Sequence, residues 1–270
     1  MRYIRRPLSV RFNRIVSDRI DHFVQHTLGL QPFGEFDERD VFIVGFPKSG
    51  NTWAQNLMAG LVYGINTHHT PDVVIQELVP EVHRQLKHYY QRFSTPMYFK
   101  SHYLPRAEYR NVIYLLRDGR DAIVSYYHFI AALQGEAPDF YGLVTSSPQT
   151  VYGDWHQHVN AWQANPYNAR MLVVKYEDLL ADTALQLRRV CEFTGIQRSD
   201  TQLAEVAAQN DFSSMKKRER TFGMSNPDWP KDKSFVRRGE VGAYRDEMPA
   251  NVLEAFMQIA GPTLQQYGYL

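Results

Sequence analysis

Val41-Phe42-Ile43-Val44-Gly45-Phe46-Pro47-Lys48-Ser49-Gly50-Asn51-Thr52-Trp53 is the stretch on which the reading of this chain turns. An apolar run rich in β-branched and aromatic residues ends at Gly45. A short loop with a second glycine, Gly50, follows. Apolar residues at helical spacing then begin, at Trp53, Leu57, Leu61 and Val62. The pattern predicts a strand, a phosphate-type loop and a helix, in that order. Backbone N–H groups of such a loop, with the N-terminus of its helix, cradle an anionic group.

The nucleotide-hydrolase form of this unit is G-x-x-x-x-G-K-[ST]. Gly45 and Gly50 keep that spacing and Thr52 keeps the hydroxyl, but Asn51 stands at the lysine position. The lysine lies inside the loop instead, as Lys48. A lysine after the second glycine reaches β- and γ-phosphates beside Mg²⁺. A lysine inside the loop meets a shorter anion, near the bridging oxygen of one diphosphate-like unit. A transferring sulfuryl group carries less charge than a phosphoryl group and can be handled by lysines without a metal. The loop therefore points to a phosphosulfate rather than a triphosphate, and no metal is expected. The alternative is an ordinary β-turn-α connection with a surface lysine.

The chain has 270 residues, 44% hydrophobic and 22% charged, which suits one compact domain. A net charge of +1 gives no reason to expect a nucleic-acid partner. The first residues are more one-sided: Arg2, Arg5, Arg6, Arg11, Arg14 and Arg19 face Asp18 alone. Residues 1–36 read as a basic segment packed on or beside the domain, with peripheral contact to a membrane surface as the alternative. No run reaches the ~18 apolar residues of a transmembrane helix, and no secretory apolar region is visible near the start. The single cysteine, Cys191, excludes an intramolecular disulfide and sits in the apolar pattern Leu187, Val190, Cys191, Phe193 of a buried helix. These features together point to the cytoplasm.

Further along, strands and helices alternate. Strands are expected at Met97–Lys100, Val112–Leu116 and Met171–Lys175, the last two nearly all apolar, as buried parallel strands are. Helices are expected from Asp121 to about Ala132, from Asp182 to Thr194 with Gly195 closing it, and around Leu203–Ala208. Another runs over Val252–Tyr267, interrupted near Gly261-Pro262. Segments 135–149 and 221–233 read as long loops over a site. The fold class is α/β, with a P-loop-like parallel β-sheet and helices on both faces. Functional loops then gather at the C-terminal strand ends.

Three clusters fall at such ends. Lys100-Ser101-His102 follows a strand; a histidine there can serve as general base and the lysine can stabilise developing negative charge. Arg117 ends a buried strand, and Ser125 lies eight residues on, one turn into a helix. An arginine fork and a serine hydroxyl can grip one phosphate, separate from the loop's. Arg237-Arg238-Gly239-Glu240-Val241-Gly242 offers two arginines before a G-x-x-G turn. Two distinct phosphate sites suit a nucleotide with a 5′-anhydride and a separate 3′-phosphate. The blander readings are a structural histidine, an arginine paired with a carboxylate, and a solvated basic turn.

With these clusters in place, the chain resembles the sulfotransferase family that uses 3′-phosphoadenosine 5′-phosphosulfate (PAPS), in its cytosolic-type form. The family's P-K-[ST]-G-[TN]-T-W loop is matched by Pro47 through Trp53, and its lysine-Thr/Ser-histidine by Lys100, Ser101 and His102. Its 3′-phosphate motif is matched by Arg117 and by Ser125 through Phe129. Its tyrosine before Glu-Asp-Leu is matched by Tyr176, and its R-K-G-x-x-G by Arg237 through Gly242. The resemblance implies that Lys48, Ser49, Gly50, Asn51, Thr52 and Trp53 hold the 5′-phosphosulfate. It implies that Arg117, Ser125, Arg237, Arg238 and Gly239 hold the 3′-phosphate. Trp53 also lies beside the adenine, and Tyr176, Phe212 and Met215 are then adenine contacts. His102 takes the acceptor proton, and Lys48 and Lys100 stabilise the transferring group. PAPS is the implied donor and 3′-phosphoadenosine 5′-phosphate (PAP) the product.

The chain departs from the family pattern in places. Gly242-Ala243-Tyr244 replaces Gly-Asp-Trp, and Asn210-Asp211 replaces the Thr-Ser before Phe212. The animal enzymes' dimer motif is missing after residue 244, so their dimer is not carried over. For the acceptor, His68, His69, Tyr103, Phe140, Tyr141 and Trp155 are candidate contacts, and Lys216-Lys217-Arg218-Glu219-Arg220 is a candidate anion-binding face or a solvated one. A small molecule, a lipid and a glycan all remain open as acceptors. The rival functions are a P-loop kinase or ATPase, which needs lysine at Asn51, and a non-catalytic nucleotide-binding module.

Overall fold

The structure, a computed structural model, describes residues 29–82, 89–226 and 228–270. The basic arginines of the first twenty residues lie outside the described residues, so neither reading of that segment is addressed. Residues 29–36 are described: Leu30–Pro32 (β1) pairs antiparallel with Tyr89–Gln91 (β3), and Phe33 and Phe36 pack on the core.

The central sheet holds Val41–Gly45 (β2), Tyr98–Ser101 (β4), Asn111–Leu116 (β5) and Arg170–Lys175 (β6), all parallel, in the order β4-β2-β5-β6. Side chains alternate across it, as the two-residue strand period requires. Phe42, Val44, Phe99, Val112, Tyr114 and Leu116 enter one core; Val41, Ile43, Tyr98, Ile113, Leu115 and Val174 enter the other.

Helices cover both faces. Asn51–Tyr63 (α1) and Asp72–Leu78 (α2) lie on the second face, and the intervening 3-10 turn is Thr67–His69. Gly119–Gln134 (α3), Phe140–Thr145 (α4) and Trp155–Ala164 (α5) lie on the first. Tyr176–Ala181 (α6), Thr183–Thr194 (α7) and Asp200–Gln209 (α8) return to the second, followed by Phe212–Phe222 (α9). Tyr244–Glu247 (α10) and Ala250–Gln266 (α11) close the chain on the first.

Three expectations need correction. Segment 135–149 is not all loop: α4 buries Phe140 and Val144, which anchor it to the first core. Pro262 does not interrupt the last helix, because Phe256, Ala260, Thr263 and Leu264 are buried on both sides of it, and that packing outweighs the one lost backbone bond. Arg218 is not solvated. It is buried in α9 and donates to Asn56 Oδ1, and burial lowers its pKa.

Local signals explain the boundaries. Asp182 caps α7 by accepting from Leu185 N, and Gly195 ends it with φ +78. Cys191 is a buried helix residue there. At the start of α3 a side chain has no room: a Cβ on Gly119 would meet the Trp155 ring at 2.5 Å. Gly119→Ala is therefore expected to destabilise the protein by about 1–3 kcal/mol, read by denaturant unfolding; an unchanged midpoint would show that Trp155 shifts freely.

Candidate functional site

Strand order locates the site. The chain leaves β2 toward β4 on one side, and leaves β5 toward β6 on the other. The loops after β2 and β5 diverge, opening a crevice at their C-terminal ends. Residues 46–50 and Arg117 meet there: Arg117 Nη1 donates to the Lys48 carbonyl at 3.0 Å.

The loop is shaped by two close approaches. A Cβ on Gly45 would lie 2.7 Å from Asn51 Oδ1 and 2.8 Å from the Leu115 carbonyl. Gly50 adopts φ +94 and abuts the Tyr176 ring, 2.8 Å from where its Cβ would be. Lys48 itself adopts φ +68, a backbone state rare outside glycine. Asn51 Nδ2 donates to the Phe46 carbonyl at 3.0 Å, closing the loop on itself. Ser49 Oγ and Arg117 Nε are both buried, and neither has a hydrogen-bond partner among the described residues.

The Lys48 ammonium sits 4.0 Å from the centre of the Phe235 ring and 4.7 Å from that of Phe129. Burial, then the positive charges of Lys100, Arg117 and Arg237, pushes its pKa down to about 7. Lys100 is buried at the end of β4 and donates to Glu81 Oε2 at 3.2 Å and Thr52 Oγ1 at 3.3 Å.

His102 is fixed from two sides. Its Nδ1 lies 2.7 Å from the Gly45 carbonyl. A carbonyl only accepts, so Nδ1 carries a proton and the basic nitrogen of the neutral ring is Nε2. Its own carbonyl accepts from His158 Nε2 at 3.1 Å, while His158 Nδ1 meets the Tyr114 hydroxyl at 3.0 Å. Burial lowers the His158 pKa to about 4, which keeps that ring neutral.

On the β5 side, Arg117 stacks 4.2 Å from the Tyr176 ring, and Tyr176 stands edge-on to Trp53 at 5.8 Å. Trp53 Nε1 donates to the Asn210 carbonyl at 2.7 Å, which ties α1 to the start of α9. Asp211, one of the departures noted above, is a helix cap: its carboxylate accepts from Ser214 N at 2.6 Å and Ser213 Oγ at 2.9 Å. The Ser214 backbone bond lowers its pKa.

The last loop is held by carboxylates. Asp121 accepts from Gly242 N at 2.7 Å and Tyr244 N at 3.0 Å. Glu219 accepts from Phe235 N, from Val236 N at 3.0 Å and from Ser234 Oγ at 3.0 Å. Gly239, at φ +67, leaves no space for a side chain, since its Cβ would lie 2.4 Å from the Phe212 ring.

A cavity of about 440 Å³ gathers these groups. Lys48, Gly50, Asn51, Thr52, Trp53, Lys100, His102, Arg117, Ser125, Tyr176, Phe212, Met215, Arg237, Arg238 and Gly239 all line it. Ser49 is buried just beneath. The proposed acceptor contacts do not line it. His68 and His69 pack edge-to-face at 4.8 Å in the 3-10 turn. Phe140 is core, stacked on Tyr127 at 4.2 Å. Trp155 is core beneath Gly119. Tyr141 is exposed, and Tyr103 packs on the first core, under the Arg106 guanidinium at 4.5 Å and edge-on to Tyr152 with ring centres 5.9 Å apart. The cavity is lined besides by Tyr126, Phe129, Val151, Tyr152 and Met224, with Asp72, Gln76 and Glu81 on the α2 side; of these, Tyr152 packs on the His102 ring at 5.5 Å. Of these, Phe129 carried a signal: it lies four residues beyond Ser125 and so falls on the same helix face. Among the described residues, no group of three or more His, Cys, Asp or Glu is placed to hold a metal, and no helix is long and apolar enough to cross a membrane.

Known proteins are similar to this chain in sequence and in fold. The chain is 27% identical to Sulfotransferase 1E1 of Bos taurus over 259 residues, covering 86% of this chain and 88% of that protein. It is 25% identical to Cytosolic sulfotransferase 1 of Danio rerio over 276 residues, covering 94% and 91%. Its fold is similar to a mouse sulfotransferase complexed with PAP, with TM-score 0.62 and 21% identity over 86% of each chain. It is also similar to retinol dehydratase in a complex with retinol and PAP, with TM-score 0.66 and 18% identity over 85% of this chain and 82% of that one. The sulfotransferase-domain model matches residues 38–268, from just before β2 to the end of α11, and the chain belongs to that family.

Proposed function

We propose that this sulfotransferase moves a sulfuryl group from PAPS to a hydroxyl, or an amine, of a small acceptor, with His102 as general base. The observation that carries the reading is that Lys48, Lys100 and His102 line the same cavity as Arg117, Ser125, Arg237 and Arg238. The buried Ser49 hydroxyl and Arg117 Nε–H are donors that the two anionic ends of such a nucleotide would satisfy. In the reaction, a bond forms between the acceptor oxygen and sulfur as the bond from sulfur to the bridging phosphate oxygen breaks. The acceptor proton passes to His102 Nε2. Lys48 and Lys100 face the charge that builds on the bridging and sulfuryl oxygens, and PAP leaves. Trp53, Tyr176, Phe212 and Met215 are the adenine contacts in this reading.

Tyr126, Tyr152 and Met224 favour an acceptor with an apolar body over a fully polar glycan; a lipid alcohol fits the same wall. A cytoplasmic location belongs to this reading, as the name of the zebrafish relative states for that protein.

Labelled PAPS with a panel of phenols, steroid alcohols, lipid alcohols, amines and sugars is the test. Sulfated product is expected, with activity surviving chelator. Loss of all activity in EDTA, restored by Mg²⁺, would overturn the metal-free mechanism. Thermal stabilisation by ATP with Mg²⁺ but not by PAP would favour the kinase reading.

The 3′-phosphate assignment has its own measurement. Arg117→Ala is expected to weaken PAP binding about ten-fold or more, through loss of a charge-assisted pair, while adenosine 5′-monophosphate loses little. Equal losses for both ligands would remove Arg117 from 3′-phosphate recognition.

A further inference from the structure

We propose that Glu247 is a built-in competitor for the nucleotide's 3′-phosphate, a carboxylate that holds Arg237 and Arg238 and takes them back when product leaves. The inference rests on the nucleotide reading above. Arg237 Nη1 donates to both Glu247 oxygens, at 2.8 and 2.6 Å. Arg238 Nη1 donates to Glu247 Oε1 at 2.6 Å, and its Nε donates to Glu240 Oε2 at 2.7 Å. His128 Nε2 lies 2.6 Å from Glu247 Oε2. Two guanidinium charges thus face two carboxylates, so the arginine pair is neutralised within the chain before any phosphate arrives.

The geometry makes this an exchange rather than a fixed scaffold. The Glu247 side chain is only 16% exposed, while Arg237 and Arg238 are 32% and 36% exposed and line the cavity. Glu247 is anchored: α10 begins where Asp121 fixes the Tyr244 backbone. A phosphate must therefore draw the arginines away from the carboxylate. Arg237 and Ser125 also line a neighbouring cavity of about 270 Å³, together with Lys48, His128 and Lys233, which gives the displaced guanidinium a place to turn. Burial alone would raise the Glu247 pKa, but the bonds from Arg237 and Arg238 hold it at about 2, so the competitor is anionic at neutral pH. Donor and product carry the same 3′-phosphate, so one competitor weakens both and eases product exit.

The test compares PAP with adenosine 5′-monophosphate by calorimetry on the full chain. Glu247→Gln keeps an oxygen acceptor but removes the charge. PAP affinity is expected to rise by about ten-fold, the worth of one charge-assisted pair, with a slower PAP off-rate and no change for the monophosphate. Selective weakening of PAP would show that Glu247 orients the arginines, and would overturn the proposal; so would equal changes for both nucleotides. If Glu247→Gln does not fold, Glu247→Asp draws the carboxylate back by one methylene and is expected to give a smaller gain of the same sign; no gain overturns the proposal. A wild-type chain that does not prefer PAP over the monophosphate would instead remove the nucleotide reading itself, an outcome distinct from all of these.

Discussion

His102→Ala is expected to lower turnover by at least about 10²-fold, within the ~10²–10⁴ that a general base contributes, while PAP affinity stays nearly unchanged. The separation follows from the geometry. His102 is held through Nδ1 by the Gly45 carbonyl, and through its own carbonyl by His158. Its part in the proposed reaction is made at Nε2, toward an acceptor rather than toward the nucleotide. Steady-state kinetics and PAP calorimetry on the same preparation check it. Near-normal turnover would remove His102 from the mechanism. The usual substitutes are poorly placed: His68 and His69 do not line the cavity, and His158 is buried and kept neutral.

Lys48 should behave differently, because in the proposed reaction its ammonium faces the anion both in the bound complex and in the transition state. Lys48→Met, which keeps a long apolar side chain but removes the ammonium over Phe129 and Phe235, is expected to weaken PAP binding about ten-fold or more and to lower turnover as well. The same residue sets a pH signature. Its pKa in the folded chain is about 7, against 10.5 for an ordinary lysine. Between those values the unfolded chain binds more protons than the folded one, so Lys48 makes the nucleotide-free protein more stable as pH rises through that window. A bound anion favours the charged form and reverses the shift. Nucleotide binding should then take up a proton above pH about 7, and affinity should fall as pH rises further. Calorimetry in two buffers of different ionisation heat measures the uptake; Lys48→Met should abolish it. Uptake of equal size in the variant would assign the proton to another group.

Much of the fold was legible because it rests on short-range patterns. Strands β2, β5 and β6 are largely apolar runs, and α7 begins at Asp182 and ends at Gly195, residues with a stereochemical reason to be there. Glycine positions in the anion loop were readable because spacing alone exposes them. The β1–β3 pair was not, since three-residue strands carry no measurable period. Nor was the acceptor wall. Val151 and Tyr152 come from one turn and Met224 from another, and only long-range packing brings them into one cavity with His102. The candidates chosen for aromatic character, Phe140 and Trp155, were claimed by the core, which aromatic rings fill as readily as they line a pocket. Glu247 was invisible for a related reason: what it does depends on α10 folding back under Arg237 and Arg238.

The two carboxylates that hold the last loop divide it in a way that bears on how such enzymes diversify. Glu219 pins Ser234 to Val236, and Asp121 pins Gly242 and Tyr244. Residues 237–241 are thus a short span between fixed posts, and length changes there would pull the arginines out of place. The preceding stretch begins at Gly223, where α9 ends, and lends Met224, Ser225 and Asn226 to the acceptor side of the cavity. It lies outside the posts but is not wholly independent of them: Trp229 packs on Phe129 and Phe235 at 5.6 and 5.3 Å, and Lys233 lines a cavity with Arg237. In the proposed reaction, acceptor choice and donor handling then fall on neighbouring parts of one continuous loop, and exchange of Met224 to Asn226 that keeps Trp229 and Lys233 is expected to change acceptor preference before it changes PAP affinity.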